Sequence, residues 1–236
     1  MRKASLRIGV AIVALLALGT ISAFAALITP DNGSGTVTLP PPNGEYVTPA
    51  MFHAYLQQGG VITAELEARH GRFLNLVRRS GGSLGGEVET FNSNVQLKIT
   101  GKGPLAGWSR TINVPTRCET HTGPRVPGDP VQSFDTVMYR LEGTVTGDPD
   151  FDSIHIVAGT GNGLPSPGHT TLTDRKDGTF QVDSTFSMSF RLDYKGSVNG
   201  ALKGASGETE KTVTVTAVPA GSKNDVKPSY GSGTGQ

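Results

Sequence analysis

Residues 180–194, FQVDSTFSMSFRLDY, decide the fold. Phe180, Val182, Phe186, Met188, Phe190, Leu192 and Tyr194 all fall on even positions. Asp183, Ser187, Arg191 and Asp193 fall on odd ones. Successive side chains of an extended strand point to opposite faces. A period of two therefore means one dry face and one wet face, which is the antiparallel arrangement. A helix would instead return its apolar residues every three or four positions.

The same alternation recurs outward from this segment. Val95, Leu97 and Ile99 alternate with Gln96, Lys98 and Thr100. Trp108, Ile112 and Val114 share one parity, which Arg110 breaks. Val137, Tyr139, Leu141 and Val145 repeat it, as do Ile154, Ile156 and Ala158, and then Val213, Val215 and Ala217. Asp177-Gly178 is a hairpin turn signal ahead of Phe180. Glycine accounts for 32 of 236 residues and charged residues for 17%, which suits many strands joined by tight turns. The pattern predicts an all-β domain over residues 45–218. Its expected form is an antiparallel two-sheet sandwich of about eight to ten strands, with a partly closed barrel as the alternative. Upstream, Val61–Ala68 and Phe73–Arg79 read as less regular strands. Pro49 to Leu56, closed by Gly59-Gly60, reads as a short helix.

An internal duplication is suggested by one motif. Residues 103–109 (GPLAGWS) and 200–206 (GALKGAS) share the form G-x-L-x-G-x-S. Each copy follows a long alternating strand and precedes a Thr-rich one. Each is expected to be the same hairpin connection, with glycines making the turn and leucine covering the core.

The ends of the chain have a different character. Arg2, Lys3 and Arg7 precede an uncharged apolar run from Ile8 to Ile21, and Ala23-Phe24-Ala25 follows. This is the form of a cleavable signal peptide over residues 1–25; an uncleaved anchor is the alternative. The expected location is secreted, periplasmic or at the cell surface, with no span left in the membrane after cleavage. Loss of these residues takes the formal charge from +1 to −2, which gives no footprint for nucleic acid. Residues 26–44 are rich in Pro, Gly, Ser and Thr and read as an extended arm; residues 219–236 read as a disordered tail.

Few residues suggest chemistry. Cys118 is the only cysteine, so an internal disulfide cannot hold this fold. Asp148, Asp150 and Asp152 in GDPDFDS place three carboxylates at alternate positions, a set suited to calcium if the segment is a loop. The competing reading is a solvated acidic turn. Cys118 and His121 have a C-x-x-H spacing, and only His155 and His169 could complete a zinc site. On one continuous strand, however, Cys118 and His121 would face opposite ways. His121 and His169 lie beside Gly/Pro-rich sequence and read as loop residues, either a paired site or two anchors for their loops. Glu87, Glu89 and Asp183 could supply a glycosidase acid pair, which requires a separation of about 5–9 Å. No G-x-S-x-G lies between a strand and a helix, Gly159-Thr160-Gly161-Asn162-Gly163 lacks the following helix and the spacing of a phosphate loop, and no H-E-x-x-H occurs.

The segments THTGPR (120–125), PGDPVQSFDT (127–136), GDPDFDS (147–153) and GLPSPGHTTLT (163–173) resemble a family of uncharacterised exported bacterial proteins. The resemblance covers about residues 80–216. It implies a secreted β-rich domain and carries no assigned chemistry. The expected function is a non-catalytic structural or binding module, calcium-stabilised if the aspartates converge, with a cell-surface or extracellular polymer as partner. The alternative is an enzyme acting on such a polymer through a cleft that gathers the His and Asp residues.

Overall fold

The computed structural model describes residues 25–48, 54–58 and 61–222. Eleven strands run through these residues: β1 (Leu27–Pro30), β2 (Gly44–Val47), β3 (Ala54–Gln58), β4 (Val61–Ser80), β5 (Glu87–Gly101), β6 (Ser109–Thr122), β7 (Val131–Thr146), β8 (Phe151–Ala158), β9 (Pro167–Asp174), β10 (Thr179–Gly196) and β11 (Ser206–Pro219). Two single 3₁₀ turns, at 103–105 and 160–162, are the helical elements among them. No helix among the described residues is long and apolar enough to cross a membrane.

All pairings are antiparallel, as the alternation predicts. The ladders run β10–β11–β2–β4–β5–β6–β7–β8 and return from β8 to β10. The sheet is thus hydrogen-bonded continuously around one core. Two strand pairs lie end to end in this ring. Along β10, β1 takes residues 179–182 and β11 takes 185–195. On its other side β9 takes 180–184 and β8 takes 190–196. Closure leaves few unpaired strand edges.

The residues that set the period form the core. Val95 faces Val114 and Leu97 faces Ile112 across β5 and β6. Phe186, Met188, Phe190, Leu192 and Tyr194 of β10 are buried with Val213 and Val215 of β11. Trp108, expected inside, is partly buried against Phe151.

Three expectations need correction. The arm at 26–44 belongs to the folded body: Leu27 lies in the core, and Val37 and Leu39 are buried with it. Residues 54–56 are not helical but pair with β4 as strand β3, and residues 49–53 lie outside the described residues. The two irregular segments at 61–68 and 73–79 are one strand, β4, with bulges between Gly71 and Leu74 and between Leu74 and Val77. The segment read as an export signal, up to Phe24, and the segment read as a tail, from residue 223, also lie outside the described residues.

The two G-x-L-x-G-x-S loops adopt matching geometry. Ala106 N donates to Gly103 O at 3.1 Å, and Lys203 N to Gly200 O at 3.1 Å. Trp108 N donates to Leu105 O at 3.0 Å, and Ala205 N to Leu202 O at 2.9 Å. Gly107 and Gly204 both have positive φ, 89° and 78°. The hairpins they close, β5–β6 and β10–β11, stand opposite each other in the ring, four ladder steps apart in either direction.

Candidate functional site

The acidic turn 147–150 joins β7 to β8, with Asp152 just inside β8, and lies between the two matching loops. Asp148 Oδ2 accepts a 2.6 Å hydrogen bond from Arg110 Nη2, one residue past the first loop. Asp150 Oδ1 accepts from Ala201 N of the second loop at 2.9 Å, and Ser197 N donates to Asp150 O. Asp152 pairs separately with Lys195 Nζ at 3.3 Å. Burial raises the Asp148 carboxyl, but hydrogen bonds from Arg110 and from the amides of Asp150 and Phe151 outweigh it and hold it below its ordinary value. The three carboxylates therefore do not converge on one point. The charge a cation would supply comes from Arg110 and Lys195. Among the described residues no group of three or more His, Cys, Asp or Glu side chains is placed to hold a metal.

The histidines are dispersed, and none of His121, His155 and His169 is a loop residue. His121 lies in β6 and is buried. Its Nδ1 meets Ser83 N at 3.0 Å and Ser83 Oγ at 2.8 Å, its Nε2 meets Glu119 Oε1 at 2.8 Å, and its ring stacks on Tyr139. His155 of β8 is 3.6 Å from Asp193. His169 lies in β9, with Nε2 on Ser133 Oγ at 2.8 Å and Nδ1 on Asp135 Oδ1 at 3.0 Å. That is the atom order of a serine-hydrolase relay. It stands in solvent, however, with His169 52% and Asp135 79% exposed, where water screens the charges such a relay must stabilise.

Cys118 faces other partners. Its Sγ lies 3.2 Å from Ser93 Oγ and 3.7 Å from His70 Nε2. Ser93 Oγ also meets His70 Nε2 at 2.7 Å and Thr116 Oγ1 at 2.7 Å. Burial pushes the thiol up to about 11 and His70 down to about 4. The C-x-x-H spacing thus serves two separate environments.

The acid candidates separate as well. Asp183 is exposed on β10 and accepts from Gln181 Nε2 at 3.0 Å. Glu87 pairs with Arg125 Nη2 at 2.7 Å. Glu89 is fully buried, with its Oε2 on Thr120 Oγ1 at 3.1 Å. Its interior position was available in the sequence: Glu89 shares its parity in β5 with Phe91, Val95, Leu97 and Ile99.

One concavity is a feature that sequence reasoning missed. Two adjoining depressions, of ≈ 700 and ≈ 400 Å³, share Asn92, Arg117 and Glu142 and form an open groove across β4 to β8. Asn92 pairs with Arg117, and Arg117 with Glu142, so three strands contribute one polar row. The bulges of β4 wall one side through Arg72 and Leu74; His155 stands on the other. Gly143 sits in the floor, where a Cβ would come within 2.5 Å of Pro115 O. The groove depends on bulges and on the register between successive strands, so no local motif announces it.

No protein-family model, curated protein or solved structure matches this chain.

Proposed function

We propose that the chain is an exported, non-catalytic binding module whose groove takes a segment of hydroxyl-rich extracellular polymer, a polysaccharide. The observation that supports this is the groove itself: an open trough lined by Asn92, Asn94, Arg117, Glu142, Thr144 and His155. Amide, guanidinium, carboxylate and hydroxyl groups offer both donors and acceptors to sugar hydroxyls. The open, elongated form suits a chain rather than an enclosed small molecule. The export signal read in residues 1–25 would bring the domain to such a polymer.

The test is calorimetric titration of the mature chain with soluble neutral and acidic polysaccharides. Binding to at least one is expected, and Asn92→Ala combined with Arg117→Ala is expected to weaken it at least tenfold. Both side chains are exposed, so the thermal midpoint should stay nearly unchanged. Equal binding by the double variant, or none by the parent, would overturn the reading. One observation favours a hydrolase instead: the Ser133–His169–Asp135 relay. A fluorophosphonate probe decides it. Labelling of the parent that is lost in Ser133→Ala would establish the enzyme; no labelling is the expected outcome.

A further inference from the structure

Seven buried side-chain polar atoms among the described residues lack a hydrogen-bond partner. Four of them, His70 Nδ1, Glu89 Oε1, Thr122 Oγ1 and Thr136 Oγ1, belong to residues that line one interior cavity. Leaving such groups unpaired is costly, so their convergence has a physical meaning. The cavity has ≈ 20 Å³ of free volume, room for one water-sized particle. Tyr46, Phe73, Phe91, Met138 and Phe186 form apolar parts of its wall.

Glu89 is the centre of the problem. It is 0% exposed. The charged groups around it are accounted for strand by strand. From β4 come Arg78 and His70, from β2 Tyr46, from β5 Glu87, and from the β6–β7 connection Arg125. Both arginines are directed at Glu87 rather than Glu89: Arg125 Nη2 lies 2.7 Å and Arg78 Nε 3.8 Å from Glu87 Oε2. The partner on Glu89 is a neutral hydroxyl, Thr120 Oγ1. A carboxylate here would be a buried charge with no cation in contact, which proteins avoid by protonation.

We propose that this cavity is a proton-binding site in which Glu89 is a neutral carboxylic acid, joined through one internal water to Thr122, Thr136 and His70. The acid form adds the donor that a set of hydroxyls and a neutral imidazole can accept. Water, with two donors and two acceptors, completes the remaining bonds. The electrostatics agree with the geometry. Burial first, then the neighbouring Glu87, pushes Glu89 up to about 7, and burial holds His70 down at about 4.

The consequence is a fold that tightens on acidification through Glu89. The unfolded chain releases this proton near 4.5, the folded ring near 7. The stabilisation is complete below the lower value and is lost as pH rises through the upper one.

Infrared difference spectroscopy of the mature chain tests this, with Glu89→Gln as the reference. A protonated-carboxyl C=O band, absent from the variant, is expected at about pH 5 and should vanish with a midpoint near 7. Over the same interval the thermal midpoint of the parent should fall relative to that of Glu89→Gln, a difference that removes the opposing contribution of His70 common to both. If Glu89→Gln does not fold, Thr136→Val keeps the acid but removes one arm, and should move the midpoint of the band. A band already lost below about pH 5 would overturn the proposal. So would a thermal midpoint that rises on exchanging choline chloride for sodium chloride, because the guest would then be a cation.

Discussion

Arg110 breaks the parity of β6, and the break has a cause. It lies on the same parity as Ile112 and Val114, at the end of the strand, opposite Ile99. There the inner face runs out at the rim, and the guanidinium reaches across to Asp148 and Asp150. The acidic triplet was legible in the sequence; its partner, 38 residues away, was not. Removing the cation with Arg110→Ala should lower the thermal midpoint only modestly, because the pair is partly exposed and screened by solvent. Thermal denaturation measures this, and chelator should leave the parent's midpoint unchanged because the chain supplies its own cation. His70 gives a second prediction at this scale. Burial lowers it from 6.5 to about 4, so the folded protein keeps it neutral. Its contribution to stability is fully present above 6.5 and is lost as pH falls through 4. Urea midpoints should therefore decline more gently in acid for His70→Gln than for the parent. A parallel decline would mean that His70 is not the group responsible.

Elements were legible where their burial is regular. β10 pairs with β11 over 185–195 without a register shift and with β8 over 190–196 with one shift only at its last residue, and its parity shows it. β4 was not legible as one strand because its bulges place Arg72 and Asn75 in the left-handed region, φ 57° and 55°. Each bulge resets which face the next residue takes. β1 was hidden for another reason: its four residues sit in a Pro/Gly-rich segment whose composition imitates a linker, yet β1 pairs with β10 and Leu27 is buried in the core. The repeated loop was legible, and its geometry yields a prediction. A Cβ on Gly101 would lie 1.9 Å from Leu105 O, and one on Gly196 would lie 2.5 Å from Leu202 Cβ. Gly101→Ala and Gly196→Ala should each destabilise by about 1–3 kcal/mol through forced backbone movement. Urea unfolding of the two variants checks it. Little change in either would show that the loop can move aside.

At the scale of the whole molecule, the ring joins sequence ends that are far apart. β2 pairs with β11, and β1 with β10, so the first strands need the last ones before their faces are covered. Pairings of such long range make folding slow and closure a late, shared event. With one cysteine there is no cross-link to hold a partly closed ring. Stability must come from closure itself, and Cys118 is placed to report it. The thiol is buried on the inner face beside Ser93 and His70, and burial pushes it up to about 11. A thiol in that state is protected both by access and by its protonation. Modification by a disulfide reagent should therefore be slow in the native chain and should rise with urea in step with loss of β-sheet signal. A chain ended at Gly204 lacks β11, which leaves β2 with β4 as its one neighbour and β10 with an open edge. Its thiol should react at the unfolded rate without urea, and no cooperative transition should remain. If that truncated chain still protected Cys118, closure of the ring would not be what holds the core together.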